Sequence, residues 1–293
     1  PEAFIQALTE ETGCTDYFFS PTPYAINRTL FDRLNEAVPV LLDLLDQPGY
    51  YNHCMAQRHW NLAVQPMQET DFTGCADFLL TENGAKLIEM NINLPGKVGL
   101  MQTMSAAAIA YLGDPKGAWT NEQFMQRLVQ TIRNAIPTNG KIALVVSHLP
   151  ASKKHQPHYR YFAQQLQQHD LDVTVVQANE LIPSATGCTA YRTHFDGMIN
   201  LVIPFVWETN PDSFVHWTQV WEQHPDRIFP NPTGGMYGTK DLLSYLDTQR
   251  HTPDSGKWSD FVLRAHMLRD FSSPEELLAT LAPEQIVLKP LKD

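Results

Sequence analysis

The sequence predicts a mixed α/β protein, α/β with some α+β character, and three observations carry that expectation. Lys141-Ile-Ala-Leu-Val-Val146 is a continuous apolar run, Leu171-Asp-Val-Thr-Val-Val176 is a second, and a helical pattern from about Tyr159 to His169 lies between them. Strand, helix, strand at this spacing is a βαβ unit, which implies a parallel sheet. Upstream, Cys75-Ala-Asp-Phe-Leu-Leu80 and Lys86-Leu-Ile-Glu-Met-Asn91 flank Glu82-Asn83-Gly84, the signature of an antiparallel hairpin.

The remaining elements follow in order. Apolar residues at Ile26, Leu30, Phe31, Leu34, Val38, Leu41, Leu42 and Leu45 form a helical stripe over Tyr24 to Asp46. Thr22 is its expected N-cap, with Pro23 at the first helical position, Gly49 beyond the end and a kink at Pro39. Met101 to Leu112 and Asn121 to Ile136 read as helices, the second with Gln and Arg on its outer face. Met198 to Val206 reads as a third apolar strand. Leu242 to about Leu246 and Pro274 to Leu281 read as helices, and Gln285 to Pro290 as a strand. The Pro137/Gly140 punctuation marks the expected boundary, giving segments 1–138, 139–232 and 233–293.

A chain of 293 residues with 43% hydrophobic and 10% aromatic content can bury substantial cores. A formal charge of −11 disfavours nucleic acid and anionic membranes, which reward a basic face. Cys14, Cys54, Cys75 and Cys188 are widely spaced without a CxxC pair, the usage of a reduced, cytoplasmic protein. No leader opens the chain, and no apolar run approaches the ~20 residues of a membrane helix. The chain opens on Pro1 and stops at Asp293 just after an apolar strand, so both ends are expected to be cut.

Asp77, Glu89 and Asn91 form the sharpest constellation. A two-residue loop at Asn83-Gly84 would pair Asp77 with Met90 and send Asp77 and Glu89 to opposite faces. A three-residue loop, Glu82-Asn83-Gly84, pairs Asp77 with Glu89 and sets Asn91 alongside, with Gly84 in the left-handed position. The second register is the expected one. Two adjacent carboxylates repel unless a cation or proton intervenes, and with an amide oxygen they make a hard donor set suited to Mg²⁺.

Other motifs are weaker. Gly234-Gly-Met-Tyr-Gly-Thr-Lys240 has the wrong spacing for a P-loop, although Lys240 opens a helix and can meet phosphate. Lys289 stands in an apolar strand before Pro290. The histidines form no zinc set, and GxSxG, HExxH and GxGxxG are absent.

Taken in order, these segments resemble the glutathionylspermidine synthase-like ATP-grasp ligases, with a more distant echo of eukaryotic-type glutathione synthetases. Asp77-Phe-Leu-Leu-Thr-Glu-Asn-Gly-Ala-Lys-Leu-Ile-Glu89-Met-Asn91 is similar to their metal-binding hairpin, and Asn93-Leu-Pro95 to the substrate-side loop after it. Ile203-Pro-Phe-Val-Trp-Glu208, Gly238-Thr-Lys-Asp-Leu-Leu-Ser-Tyr-Leu246 and Val287-Leu-Lys-Pro290 resemble further family segments. The resemblance implies a permuted ATP-grasp fold with an inserted Rossmann-like substrate domain at 139–232, which helps hold the acceptor. Residues 233–293 would begin the lid, incomplete at the C-terminus. It implies Mg²⁺ on Asp77, Glu89 and Asn91, and ATP phosphates on Lys240 and Lys289. The implied reaction joins a small-molecule or peptide carboxylate to an amine through an acyl phosphate. Where the family carries an arginine two residues before the hairpin Asp, this chain has Cys75, leaving Arg58 and Lys97 as candidate replacements. The alternative is a non-catalytic descendant that kept the fold to bind nucleotide or to scaffold.

Overall fold

The computed structural model describes residues 27–57, 74–82, 84–92, 122–136, 139–235, 242–263 and 271–280, with Gln6, Thr9, Glu10, Leu62, Ala63, Gln65 and Ala265 besides. The chain divides into two compact units. An α/β unit takes residues 1–25, 69–73 and 93–233, and a hairpin unit takes 26–68, 74–92 and 234–293.

The hairpin unit begins with helix α1 (Arg28–Leu45). Asn27 caps it, its side-chain oxygen accepting from the Leu30 N–H at 2.8 Å, which satisfies one of the unpaired donors of the first turn. This corrects the expected start: the helix begins after Asn27, and Thr22 and Pro23 lie outside the described residues. Ala37, Leu41, Leu44 and Leu45 are its buried positions, and Pro39 lies inside it. A second helix, α2 (Pro48–Gln57), follows at once, so Gly49 is helical and not a terminator. Strands β1 (Gly74–Thr81) and β2 (Gly84–Ile92) then form the hairpin.

In the α/β unit, α3 (Glu122–Ala135) buries Met125, Leu128, Val129 and Ile132 and exposes Gln126, Arg127, Gln130 and Arg133, as its pattern predicts. The buried stripe joins Ile142, Leu144 and Val146 of β3 (Ile142–Val146), and Phe162 and Leu166 of α4 (Gln156–Gln167), in one core cluster. Strand β4 (Val173–Gln177) pairs parallel to β3, completing the expected βαβ unit.

A meander absent from the sequence reading comes next: β5 (Ile182–Ser184), β6 (Gly187–Ala190) and β7 (Thr193–Phe195), antiparallel in that order. A Cβ at Gly187 would lie 2.2 Å from the Phe195 carbonyl oxygen, so only glycine fits where β6 meets β7. The β6–β7 turn holds Tyr191 and Arg192 at φ 51 and 64.

Strand β8 (Gly197–Asn200) returns on the other side of β3, and β9 (Ile228–Phe229) adds to it, giving a parallel sheet of order β4-β3-β8-β9. The apolar run predicted as one strand to Val206 is therefore divided. The Asn200 side chain folds onto Val202, accepting its N–H at 3.0 Å, and Pro204 opens helix α5 (Pro204–Thr209), a position where its missing N–H costs nothing. Helix α6 (Val215–Gln223) buries Trp217, Val220 and Trp221, and Trp207 meets Trp221 edge to face at 5.2 Å.

The chain ends in the hairpin unit with α7 (Leu242–Thr248) and α8 (Pro274–Thr280), close to their expected bounds. Between them, Trp258, Phe261 and Val262 are buried, and Val262 forms a parallel bridge with Leu87. The helix expected at 101–112 and the strand at 285–290 lie outside the described residues.

Candidate functional site

The hairpin closes by a route the sequence reading did not foresee. Thr81 pairs with Gly84, so the connection is two residues, Glu82 and Asn83, and not the expected three. Gly84 has φ 98, and its carbonyl accepts from the Thr81 hydroxyl at 2.8 Å. An uninterrupted ladder from this turn would set Asp77 against Ile88. Instead the register shifts by one between Asp77 and Phe78: Phe78 pairs with Leu87, Asp77 with Glu89, and Ile88 is the extra residue of a β-bulge.

Burial explains the bulge. Ala85, Leu87, Met90 and Ile92 are the buried residues of β2, alternating by two except for a step of three across Ile88. Without the bulge, Glu89 and Asn91 would share the face of Ala85 and Leu87, and two polar side chains would enter the core while two apolar ones left it. The phase change in the apolar pattern is visible in the sequence, and it is the signal that would have located the bulge. Asp77 and Glu89 thus meet as expected, through a bulge instead of a three-residue loop.

Asp77 is exposed, and Glu89 and Asn91 are half-buried. The Asn91 side-chain nitrogen donates to Asp77 Oδ2 at 2.8 Å and to Glu89 Oε1 at 3.3 Å. One amide therefore gathers both carboxylates and offsets part of their repulsion. Rotation of that amide by half a turn about its last bond would present its oxygen in place of the nitrogen. Two carboxylates and an amide oxygen on one strand face then fit a hard divalent cation that keeps several of its waters. Cys75 is the register partner of Asn91. Among the described residues, no group of three His, Cys, Asp or Glu side chains is placed to hold a metal, so the amide is needed to complete a set of three.

Arg58, Lys97, Lys240 and Lys289 lie outside the described residues. Two features near the hairpin escaped the sequence reading. One is the segment Ser259–Val262 laid along β2, where the Leu87 N–H donates to the Phe261 carbonyl at 2.6 Å. The other is Arg250, whose guanidinium reaches that segment. In the α/β unit, His148 follows β3 and packs on Phe214 at 5.2 Å. Burial holds its imidazole below the ordinary value of 6.5 against the opposing pull of Glu180.

No protein-family model matches the sequence, and no curated protein matches it. Among solved structures, a glutathione synthetase-like effector from Globodera pallida, in its apo form, aligns over 89% of this chain and 69% of its own with a TM-score of 0.56. The fold resembles that of this effector. At 13% identity the likeness concerns fold alone, and it is consistent with ATP-grasp architecture in general. Among the described residues no helix is long and apolar enough to cross a membrane.

Proposed function

We propose that the chain is an ATP-dependent carboxylate–amine ligase of the permuted ATP-grasp type, similar to glutathionylspermidine synthases and acting in the cytoplasm. The observation that carries this reading is the gathering of Asp77, Glu89 and Asn91 on one hairpin face within a glutathione synthetase-like fold. The free cysteine Cys188 accords with a reducing compartment.

In this reading Asp77, Glu89 and Asn91 hold Mg²⁺, which when bound neutralises charge on the ATP phosphates. Lys240 and Lys289 hold the phosphates, and Arg58 and Lys97 serve the reacting carboxylate in place of the arginine whose position Cys75 occupies. A substrate carboxylate oxygen bonds to the γ-phosphorus as the β–γ anhydride bond breaks and ADP leaves. The amine nitrogen then bonds to the acyl carbon, losing a proton, and phosphate departs. The protein's share of such chemistry is positioning and charge neutralisation. Open α/β sheets receive ligands beyond the carboxyl ends of their strands, where the strand order reverses. Here that point falls between β3 and β8, where Ser147, His148 and Asn200 stand, which supports an acceptor site there.

The test is ADP release from Mg-ATP in the presence of amino acids, short peptides and polyamines, singly and in pairs. Release that requires both a carboxylate and an amine is the expected result. Glu89→Gln should abolish it with melting unchanged, and Lys289→Ala should weaken ATP binding by about 2 kcal/mol, the order of a lost charge-assisted contact. ATP binding without turnover on any pair would favour the non-catalytic descendant, for which the argument is Cys75 in the place of the family arginine. Unchanged ATP affinity in both Lys240→Ala and Lys289→Ala would remove the lysines from the site.

A further inference from the structure

A two-stranded hairpin is marginal alone, and the bulge at Ile88 interrupts its ladder immediately before Glu89. Something else must hold β2 there. The Ser259–Val262 segment does so on the strand's outer edge, one residue before the bulge. The Leu87 N–H donates to the Phe261 carbonyl at 2.6 Å, Leu87 bridges to Val262, and Lys86 Nζ donates to the Asp260 carbonyl at 2.6 Å.

The segment is in turn held by one side chain. Arg250 follows α7, and its side chain is only 18% exposed. Its Nε donates to Asp247 Oδ1, its Nη1 to the Ser259 carbonyl at 3.0 Å and its Nη2 to the Val262 carbonyl at 2.6 Å. The planar fork thus pins both ends of the segment, while Asp247 fixes the fork. Arg33 adds an exposed contact, bonding Asp260 at 3.0 Å with its guanidinium 5.0 Å from the Phe261 ring.

We propose that Arg250 is a positioning residue for the Asp77–Glu89–Asn91 cluster. It acts through the segment and Leu87 to fix the strand at the bulge that sets Glu89 opposite Asp77. This rests on the reading of that cluster as a divalent-cation site. The guanidinium touches no candidate ligand, so its role is to hold geometry; groups that hydrogen-bond a ligand directly govern metal affinity at about the 10–100-fold level, and a residue one step further out belongs at the lower end of that range.

The test uses Mn²⁺ as the probe, titrated into the full chain and followed by electron paramagnetic resonance, with amide hydrogen exchange at Leu87 as a second readout. Wild type should bind, and Asp77→Asn should lose most of the affinity. Arg250→Ala should bind about tenfold more weakly, with faster exchange at Leu87. Arg250→Lys, which keeps the charge beside Asp247 but reaches only one carbonyl, should fall between. Should Arg250→Ala not fold, Arg250→Lys carries the test alone: weakened binding with faster Leu87 exchange supports the proposal. Wild-type Mn²⁺ affinity in a folded Arg250 variant, with binding lost in Asp77→Asn, would overturn the positioning role and leave the site standing. Equal affinity in wild type and Asp77→Asn would overturn the site itself.

Discussion

Cys188 is fully buried on β6, and burial pushes its thiol up to about 12 from an ordinary 9.0. A thiol that cannot ionise in the folded state ties stability to pH in one direction. Below 9.0 both folded and unfolded chains keep the proton, and the full contribution is present. Between 9.0 and about 12 only the unfolded chain releases it, so stability falls as pH rises, by up to ~1.4 kcal/mol per pH unit from this one group. Urea unfolding of the α/β unit at pH 9 and 10 should show that slope, and Cys188→Ala should flatten it. The phenols of Tyr191 and Tyr245, also raised by burial, start from 10.0 and add to the slope mainly above pH 10. An equal slope in Cys188→Ala would show that this thiol does not supply it. Such effects are invisible to sequence reading, because they depend on what surrounds the sulfur and not on where it falls in the chain. The same holds for Arg250, an unremarkable residue until the fold brings Asp247, Ser259 and Val262 to its fork.

The hairpin turns on a single residue. Removing Ile88 from the ladder would leave Leu87 followed directly by Glu89, so a regular register from the Thr81–Gly84 turn would again set Glu89 opposite Asp77. Met90 and Ile92 would stay on the core face. Deletion of Ile88 should therefore preserve the pairing, seen as cross-strand backbone NOEs between Asp77 and Glu89, and lower stability by no more than about 2 kcal/mol. Loss of those NOEs, with Met90 turned to solvent, would contradict the account of the bulge. Elements of five or more residues with a strong period were legible: β3, β4, α3 and α4 fall within a few residues of their expected bounds. The β5-β6-β7 meander was not, because strands of three or four residues carry too little alternation. Its β6–β7 turn is Tyr191-Arg192 and not Asn-Gly. The long apolar run after Gly197 misled for a different reason. Its hydrophobicity is that of buried residues in general, and only Asn200 and Pro204 mark where the strand gives way to a helix. The meeting of Asp77, Glu89 and Asn91 was legible in outcome because residue types and the turn signal constrain it, whereas its means was hidden in a change of apolar phase.

The path of the chain sets how the two units depend on one another. The parallel sheet, the meander and helices α3 to α6 of the α/β unit come from one continuous stretch, 93–233, to which segments 1–25 and 69–73 are added, while the hairpin unit is assembled from 26–68, 74–92 and 234–293. Closing the hairpin unit therefore means closing a loop of about 140 residues between Ile92 and Gly234. If that loop were unfolded chain, closure would cost roughly 4 kcal/mol by the logarithmic length rule. Prior folding of the stretch that holds the parallel sheet removes most of that cost, whereas the loops that the α/β unit closes through 26–68 and 74–92 join only its segments 1–25 and 69–73 to that stretch and leave the sheet itself unaffected. Coupling should be one-sided. Gly187→Ala forces a Cβ to within 2.2 Å of the Phe195 carbonyl and should destabilise the α/β unit by about 3 kcal/mol. It should lower amide protection both in β3 and β8 and in β2. Leu87→Ala, at a fully buried position of the hairpin, should cost a similar ~3 kcal/mol, lowering protection in β1 and β2 while leaving Ile142–Val146 unchanged. Hydrogen exchange read by mass spectrometry separates the two patterns. Equal loss of protection in β3 from either substitution would mean that the units unfold as one, and the loop argument would fail.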